Sequence, residues 1–179
     1  MIKRPLLVIC LFFTVCSLQA QFDTSFAKTN IRRCADSLTQ GFKTKNWELF
    51  TRYSNPALVG SMGGKNEFTN YIARMFSPIP DNSWMQYDPG RILQVIKTGS
   101  DLQTIVELKS VLNWQEKKIT TISHLIGESW DGGLFWTFFD SEGDRVSALI
   151  IKPDLSEHLI IPKKIETAEP VSLLQKKQQ

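Results

Sequence analysis

The sequence predicts an α+β domain, with N-terminal helices packed on one face of a curved antiparallel sheet. Two observations carry this reading. Apolar residues recur every three or four positions between residues 26 and 76, the period of an amphipathic helix. Between residues 91 and 139 they recur every second position, the period of a half-buried strand. The alternating stretches are joined by short turns, so neighbouring strands run antiparallel. Helices first and strands second give a two-layer α+β domain rather than repeated β–α units.

The elements follow in order. Residues 26–42 place Ala27, Ile31, Cys34, Leu38 and Phe42 on one helical face, with Lys28, Arg32, Arg33 and Gln40 elsewhere. Thr24 is placed to cap this helix, and Gly41 weakens its last turn. Asn46 opens a short second helix through Tyr53, carrying Trp47 and Phe50. Asn55-Pro56 ends it, because the residue before a proline is pushed out of the helical region. Residues 56–62 are short and apolar and read as a brief strand. Gly63-Gly64 then turns the chain into a third helix with Phe68, Ile72, Met75 and Phe76 on one face, closed by Ser77-Pro78-Ile79-Pro80.

Strands are expected over residues 91–97, 102–114, 118–128 and 134–139. The second is the clearest, with Leu102, Thr104, Val106, Leu108, Ser110, Leu112 and Trp114 on one face. Asp131-Gly132-Gly133 is a tight turn before the fourth. Residues 141–151 suit a short helix after Asp144, with Val146, Leu149 and Ile150 on its face, although the β-branched content also suits a strand. From Lys163 the chain is polar and aperiodic, which predicts a disordered tail over residues 163–179.

The N-terminal twenty residues have the order of a secretory signal. Lys3 and Arg4 precede an apolar run over residues 6–15, and Ser17-Leu18-Gln19-Ala20 ends in a small residue before Gln21. The run is about ten residues, short of the roughly 20 needed to cross a bilayer. The expected mature protein is therefore one domain over residues 21–162, located in the periplasm or outside the cell. Lipidation at Cys16 is disfavoured, since Val15 stands where such signals want a small residue.

Cleavage removes Cys10 and Cys16 and leaves Cys34 alone, so the domain is held by its core and not by a disulfide. The full chain has 21 Lys+Arg against 18 Asp+Glu. The excess comes from Lys3 and Arg4 and from the lysines after Pro162, so the folded part is near neutral and lacks an electrostatic footprint for nucleic acid.

The order of elements is familiar. Asn55-Pro56-Ala57-Leu58-Val59, then Gly63-Gly64-Lys65-Asn66-Glu67-Phe68, and later Asp131-Gly132-Gly133-Leu134-Phe135-Trp136-Thr137-Phe138-Phe139-Asp140, resemble exported members of the nuclear transport factor two-like (SnoaL-like, cystatin-like) superfamily. The resemblance covers about residues 26–162. It implies a cone-like, cystatin-like roll with a pocket between the helices and the bent sheet. It leaves function open, because the superfamily includes isomerases, dehydratases, ligand carriers and interaction domains. Its enzymes usually place an Asp or a His on the short early strand or inside the cone, and residues 56–62 contain neither.

His124 is the best candidate for acid–base chemistry, with Glu128 on the same strand face as a partner. The simpler placement for His124 is a half-exposed strand histidine beside a surface carboxylate. His158 reads as a surface residue, and two histidines so far apart make a weak zinc case. Trp84, Tyr87, Trp114, Trp130, Trp136 and Phe138 line a pocket or fill the core, with Trp84 and Tyr87 best placed for a pocket mouth.

These readings converge on a non-catalytic exported domain, without metal or cofactor, that binds a small apolar ligand or another envelope protein. The alternatives are a SnoaL-like isomerase or hydratase built on His124 and Glu128, and a homodimer formed through the sheet face.

Overall fold

The computed structural model describes residues 24–171. The proposed signal, with Cys10 and Cys16, and residues 172–179 lie outside the described residues. The chain forms α1 (Thr24–Lys43), α2 (Trp47–Tyr53), α3 (Pro56–Ser61), α4 (Lys65–Phe76), a 3-10 turn at Asp81–Ser83, β1 (Trp84–Lys97), β2 (Leu102–Trp114), β3 (Lys117–Ser129), β4 (Thr137–Asp140), α5 (Arg145–Ile151) and β5 (Ile165–Pro170). It is an α+β domain, with N-terminal helices on an antiparallel five-stranded sheet.

The strands run in the order β1-β2-β3, and β4 and β5 share the far edge of β3. β4 pairs with residues 125–128 and β5 with residues 117–122. Ser123 and His124 lie in the gap between them. One face of the sheet packs on α1, where Ala27, Ile31, Cys34, Ala35 and Leu38 meet Leu102, Val106, Leu108, Leu125, Trp136 and Phe138. Phe42, at the end of α1, gathers Trp47, Phe50, Phe76, Trp84 and Tyr87, with the Tyr87 ring stacked on it at 4.0 Å.

Three sequence expectations are corrected. Residues 56–62 form the helix α3, not a strand. Asn55 has φ −57° and ψ 129°, the extended conformation that Pro56 demands, and so ends α2. Its side chain then accepts from the Ala57 and Leu58 amides, and Pro56 takes the first turn, where no amide is needed. The same residue stops one helix and starts the next.

The second correction concerns residues 165–170. They pair with β3 as β5 and are not a loose tail. Every β5 residue is exposed, so what holds it is main-chain pairing with an open strand edge, which leaves no apolar signature.

The third concerns residues 141–151. They do contain a helix, capped by Asp144 through the amides of Val146 and Ser147. Its expected apolar face is turned outward, however: Val146, Leu149 and Ile150 are exposed, and Ala148 is the buried residue.

Between β4 and β5 the chain makes an excursion over residues 141–164 that covers the sheet face opposite α1. Ala148, Leu155 and Leu159, with Ile151 and Ile161, pack on Ile105, Ile126 and Phe139. The excursion is pinched where it begins and ends. A Cβ on Gly143 would lie 2.6 Å from the Lys164 amide nitrogen, and Gly143 has φ +77°, so only glycine suits the neck. Lys164 closes it with a 2.6 Å bond to Glu142.

Candidate functional site

His124 and Glu128 share a face of β3, but that spacing holds them apart. Four residues along a strand span roughly 13 Å, with Ile126 between. Neither is at the surface, which corrects the half-exposed placement: His124 is 4% exposed and Glu128 6%. The excursion buries this face. The His124 Nδ1 atom has no hydrogen-bond partner. Burial holds the imidazole below its ordinary pKa, although the charges of Asp140 and Glu107 work the other way. At neutral pH the ring is uncharged. The register places Glu107 directly across from it on β2, and one further step along β4 would bring Ser141, whose buried Oγ is also unpartnered.

Glu128 belongs to a different network, built around Lys152. Lys152 follows α5, and its side chain is 3% exposed. Its Nζ lies 2.8 Å from Asp101, 2.9 Å from Glu128 and 3.0 Å from Asp154. The exposed Trp130 ring lies over the ammonium, 4.8 Å from centroid to Nζ.

Asp101 and Glu128 have a partner on each oxygen. Asn55 donates to Glu128 Oε1 at 2.6 Å, Gln103 donates to both Asp101 oxygens, and Thr98 donates to Asp101 Oδ1. Burial acts to lower the Lys152 pKa, but its three carboxylate partners outweigh it and hold the ammonium above lysine's ordinary range. Burial acts to raise the Asp101 pKa, and the bonds from Lys152, Thr98 and Gln103 bring it below its ordinary value. Held by these bonds, the cluster ties α3, the sheet and the excursion together.

Asp140 was not singled out from the sequence. It shares the α1-facing side with Leu125 and Phe138. Burial raises its pKa, partly offset by hydrogen bonds from the Ser123 side chain and the Glu142 amide. Burial, followed by the charges of Asp140 and Glu142, also raises the Tyr87 phenol. A lone carboxyl on a strand end carries no sequence pattern, so only the register reveals it.

The aromatic candidates divide. Trp136 is fully buried, with its Nε1 donating to the Gly133 carbonyl at 3.0 Å, and Phe138 packs beside it. Trp84 and Tyr87 are half-buried in the ring cluster around Phe42. Trp114 is half-buried at the end of β2. His158 is exposed beside Glu157. Cys34 is buried, and burial raises its thiol pKa, so the core reading of that residue fits its surroundings.

A cleft of about 440 Å³ lies between α2–α4 and the start of β4. It is lined by Val59, Gly60, Pro56 and Phe135, with Thr51, Ser54 and Thr137 among them and Arg52, Gly64 and Lys65 completing the wall. The hydroxyls of Thr51 and Ser54 are already bonded, to Thr69 and to the Phe50 carbonyl. No carboxylate or imidazole lines it. A smaller hollow of about 150 Å³ sits beside Asp101 and Trp130.

Compared with family models, curated proteins and solved structures, the chain matches none. Among the described residues no helix is long and apolar enough to cross a membrane, and no cluster of His, Cys, Asp and Glu could hold a metal ion.

Proposed function

We propose that this chain is an exported, non-catalytic member of the nuclear transport factor two-like superfamily that binds a small, mainly apolar ligand in the cleft between α2–α4 and β4. The observation that carries this reading is the character of that cleft. Its volume of about 440 Å³ falls in the range of small-molecule sites, and its walls are Val59, Pro56 and Phe135 with few free polar groups. The titratable groups speak against catalysis at the residues singled out from the sequence. Glu128 is bound to Lys152 and Asn55, and the His124 Nδ1 atom has no hydrogen-bond partner among the described residues.

Gly60 gives a clean test. Gly60 lines the cleft, a Cβ there would meet nothing within 4 Å, and its φ is not in the left-handed region, so Gly60→Phe adds a ring at the cleft wall without disturbing the packing. The neutral fluorophore N-phenyl-1-naphthylamine should bind the mature protein and lose most of its binding to the variant. Circular dichroism would check that the variant is folded. Native mass spectrometry of protein recovered from the periplasm should show a bound small molecule. If the fluorophore binds both proteins equally, the cleft is not the site. If nothing binds and nothing co-purifies, the domain is not a carrier. N-terminal sequencing of the exported protein should read from Gln21.

A further inference from the structure

The cleft carries a second property, its charge, and this inference rests on the apolar-ligand reading above. Arg52 and Lys65 stand in its wall, and no carboxylate lines it to balance them. Neither cation takes an ion pair with any described residue, so both charges are available to a ligand. The Arg52 guanidinium lies 5.9 Å from the Tyr53 ring centroid, and that buried ring packs against Phe135 at 5.2 Å, so Arg52 and Phe135 flank the same ring. The hydroxyls that might have received a neutral polar ligand, Thr51 and Ser54, are committed to Thr69 and the Phe50 carbonyl. Beside the Thr137 hydroxyl, the side-chain groups left at the wall are the donor-only cations Arg52 and Lys65.

We infer that the ligand is an amphiphile with a single anionic head, a carboxylate, sulfonate or sulfate, seated between Arg52 and Lys65 with its apolar body against Val59 and Phe135. Arginine offers a fork of donors that matches such a head, and lysine adds a point charge. The head stays near solvent, where a cation–anion contact adds modest affinity and is weakened by salt.

The test compares decanoate with 1-decanol as displacers of N-phenyl-1-naphthylamine from the mature protein. The two share an apolar chain and differ in head charge. Decanoate should displace the fluorophore at about tenfold lower concentration, a ratio that shrinks in high salt. In the double variant Arg52→Gln/Lys65→Gln the ratio, measured within that variant, should fall to near one. Equal potency on the wild-type protein would overturn this inference and leave the apolar cleft standing. A preference that persists in the double variant would overturn the assignment of the head group to these residues. A wild-type protein that fails to bind the fluorophore would overturn both readings together.

Discussion

Replacing Lys152 with Met removes the cation from a buried cluster and leaves its partners in place. Methionine matches the length of the lysine stem, so the change is chiefly one of charge. In the wild-type protein the Lys152, Asp101 and Glu128 side chains are 3%, 1% and 7% exposed, at 2.8 and 2.9 Å separations. Removing one partner of a buried ion pair costs roughly 3–5 kcal/mol, because the other charges stay buried without compensation. For a chain of this size each kcal/mol shifts the melting temperature by about 2–4 °C, so the drop should be on the order of 6–20 °C.

The pH dependence gives a second reading with a definite sign. In the wild-type protein the Asp101 pKa is held below its unfolded value, so its contribution is present above about pH 4 and is lost as pH falls through the depressed value. Without Lys152, desolvation is opposed only by the bonds from Thr98 and Gln103, and the folded pKa moves up from its wild-type position. Less stability is then gained as pH rises, so the gap between variant and wild type should be widest near pH 7 and should narrow in acid. Urea unfolding at several pH values measures both effects. Adding Asp101→Asn and Glu128→Gln to Lys152→Met should recover part of the loss at neutral pH. A loss below about 1 kcal/mol at pH 7, or a gap that does not change with pH, would refute the claim that the excursion is pinned by this ion cluster.

Two further outcomes follow from the same face of the sheet. His124 is buried with its pKa below that of the unfolded chain, so its contribution is intact above about pH 6.5 and declines as pH falls from there toward the folded value. His124→Leu should flatten the fall in the urea midpoint between pH 6.5 and 5, while the exposed His158→Gln leaves it unchanged; coincident slopes for the His124 variant and wild type would place the ring in water. Gly143→Ala adds a Cβ 2.6 Å from the Lys164 amide nitrogen at a residue with φ +77°, and should cost about 1–3 kcal/mol with faster hydrogen exchange in α5. An alanine variant within about 0.5 kcal/mol of wild type would mean that the neck has room to relax.

Much of the fold was legible because burial on one side writes a period into the sequence. α1 exposes Lys28 and Arg33 and hides Ala27, Ile31, Cys34 and Leu38, and β2 places Leu102, Val106 and Leu108 on the face toward α1, although both of its faces are buried over residues 102–106. The elements that were misread lack that asymmetry. α3 is six residues long, with one buried side chain, Val59, so its helical period is too short to read, and Asn55-Pro56 reads as a stop when it is both a stop and a start. β5 is exposed on both faces and is specified by a strand edge some 45 residues away in the chain. The candidate site was less legible than the fold. Lys152 meets Asp101 and Glu128 across the sheet, and Asn55 reaches Glu128 from the other end of the chain. No local spacing encodes those contacts. His124 looked half-exposed because its strand neighbours alternate in the ordinary way, and the excursion that covers it is specified later in the sequence.

That excursion also bears on the choice among functions. An open antiparallel sheet with helices on one side presents its other side to a partner, which is the premise of a homodimer through the sheet face. Here residues 141–164 occupy much of that side, with Leu155 and Leu159 over Ile105, Ile126 and Phe139, and with Lys152 set into the polar end. That part of the face is filled by the chain itself, and side chains of the sheet fix the register of the filling, since Gln103 receives the Ser156 amide at 2.8 Å and Gln94 receives the Ile160 amide at 2.9 Å. The opposite side is closed by α1 and the rings around Phe42. The proposed ligand site lies instead at a seam between elements, the α2–α4 cleft, where Val59 and Phe135 stand beside Arg52 and Lys65. Opening the excursion, as Gly143→Ala should, ought to expose the Ile105–Ile126–Phe139 surface and promote self-association. A Gly143→Ala protein that is destabilised yet stays monomeric by light scattering at all concentrations would show that covering this face is not what keeps the chains apart.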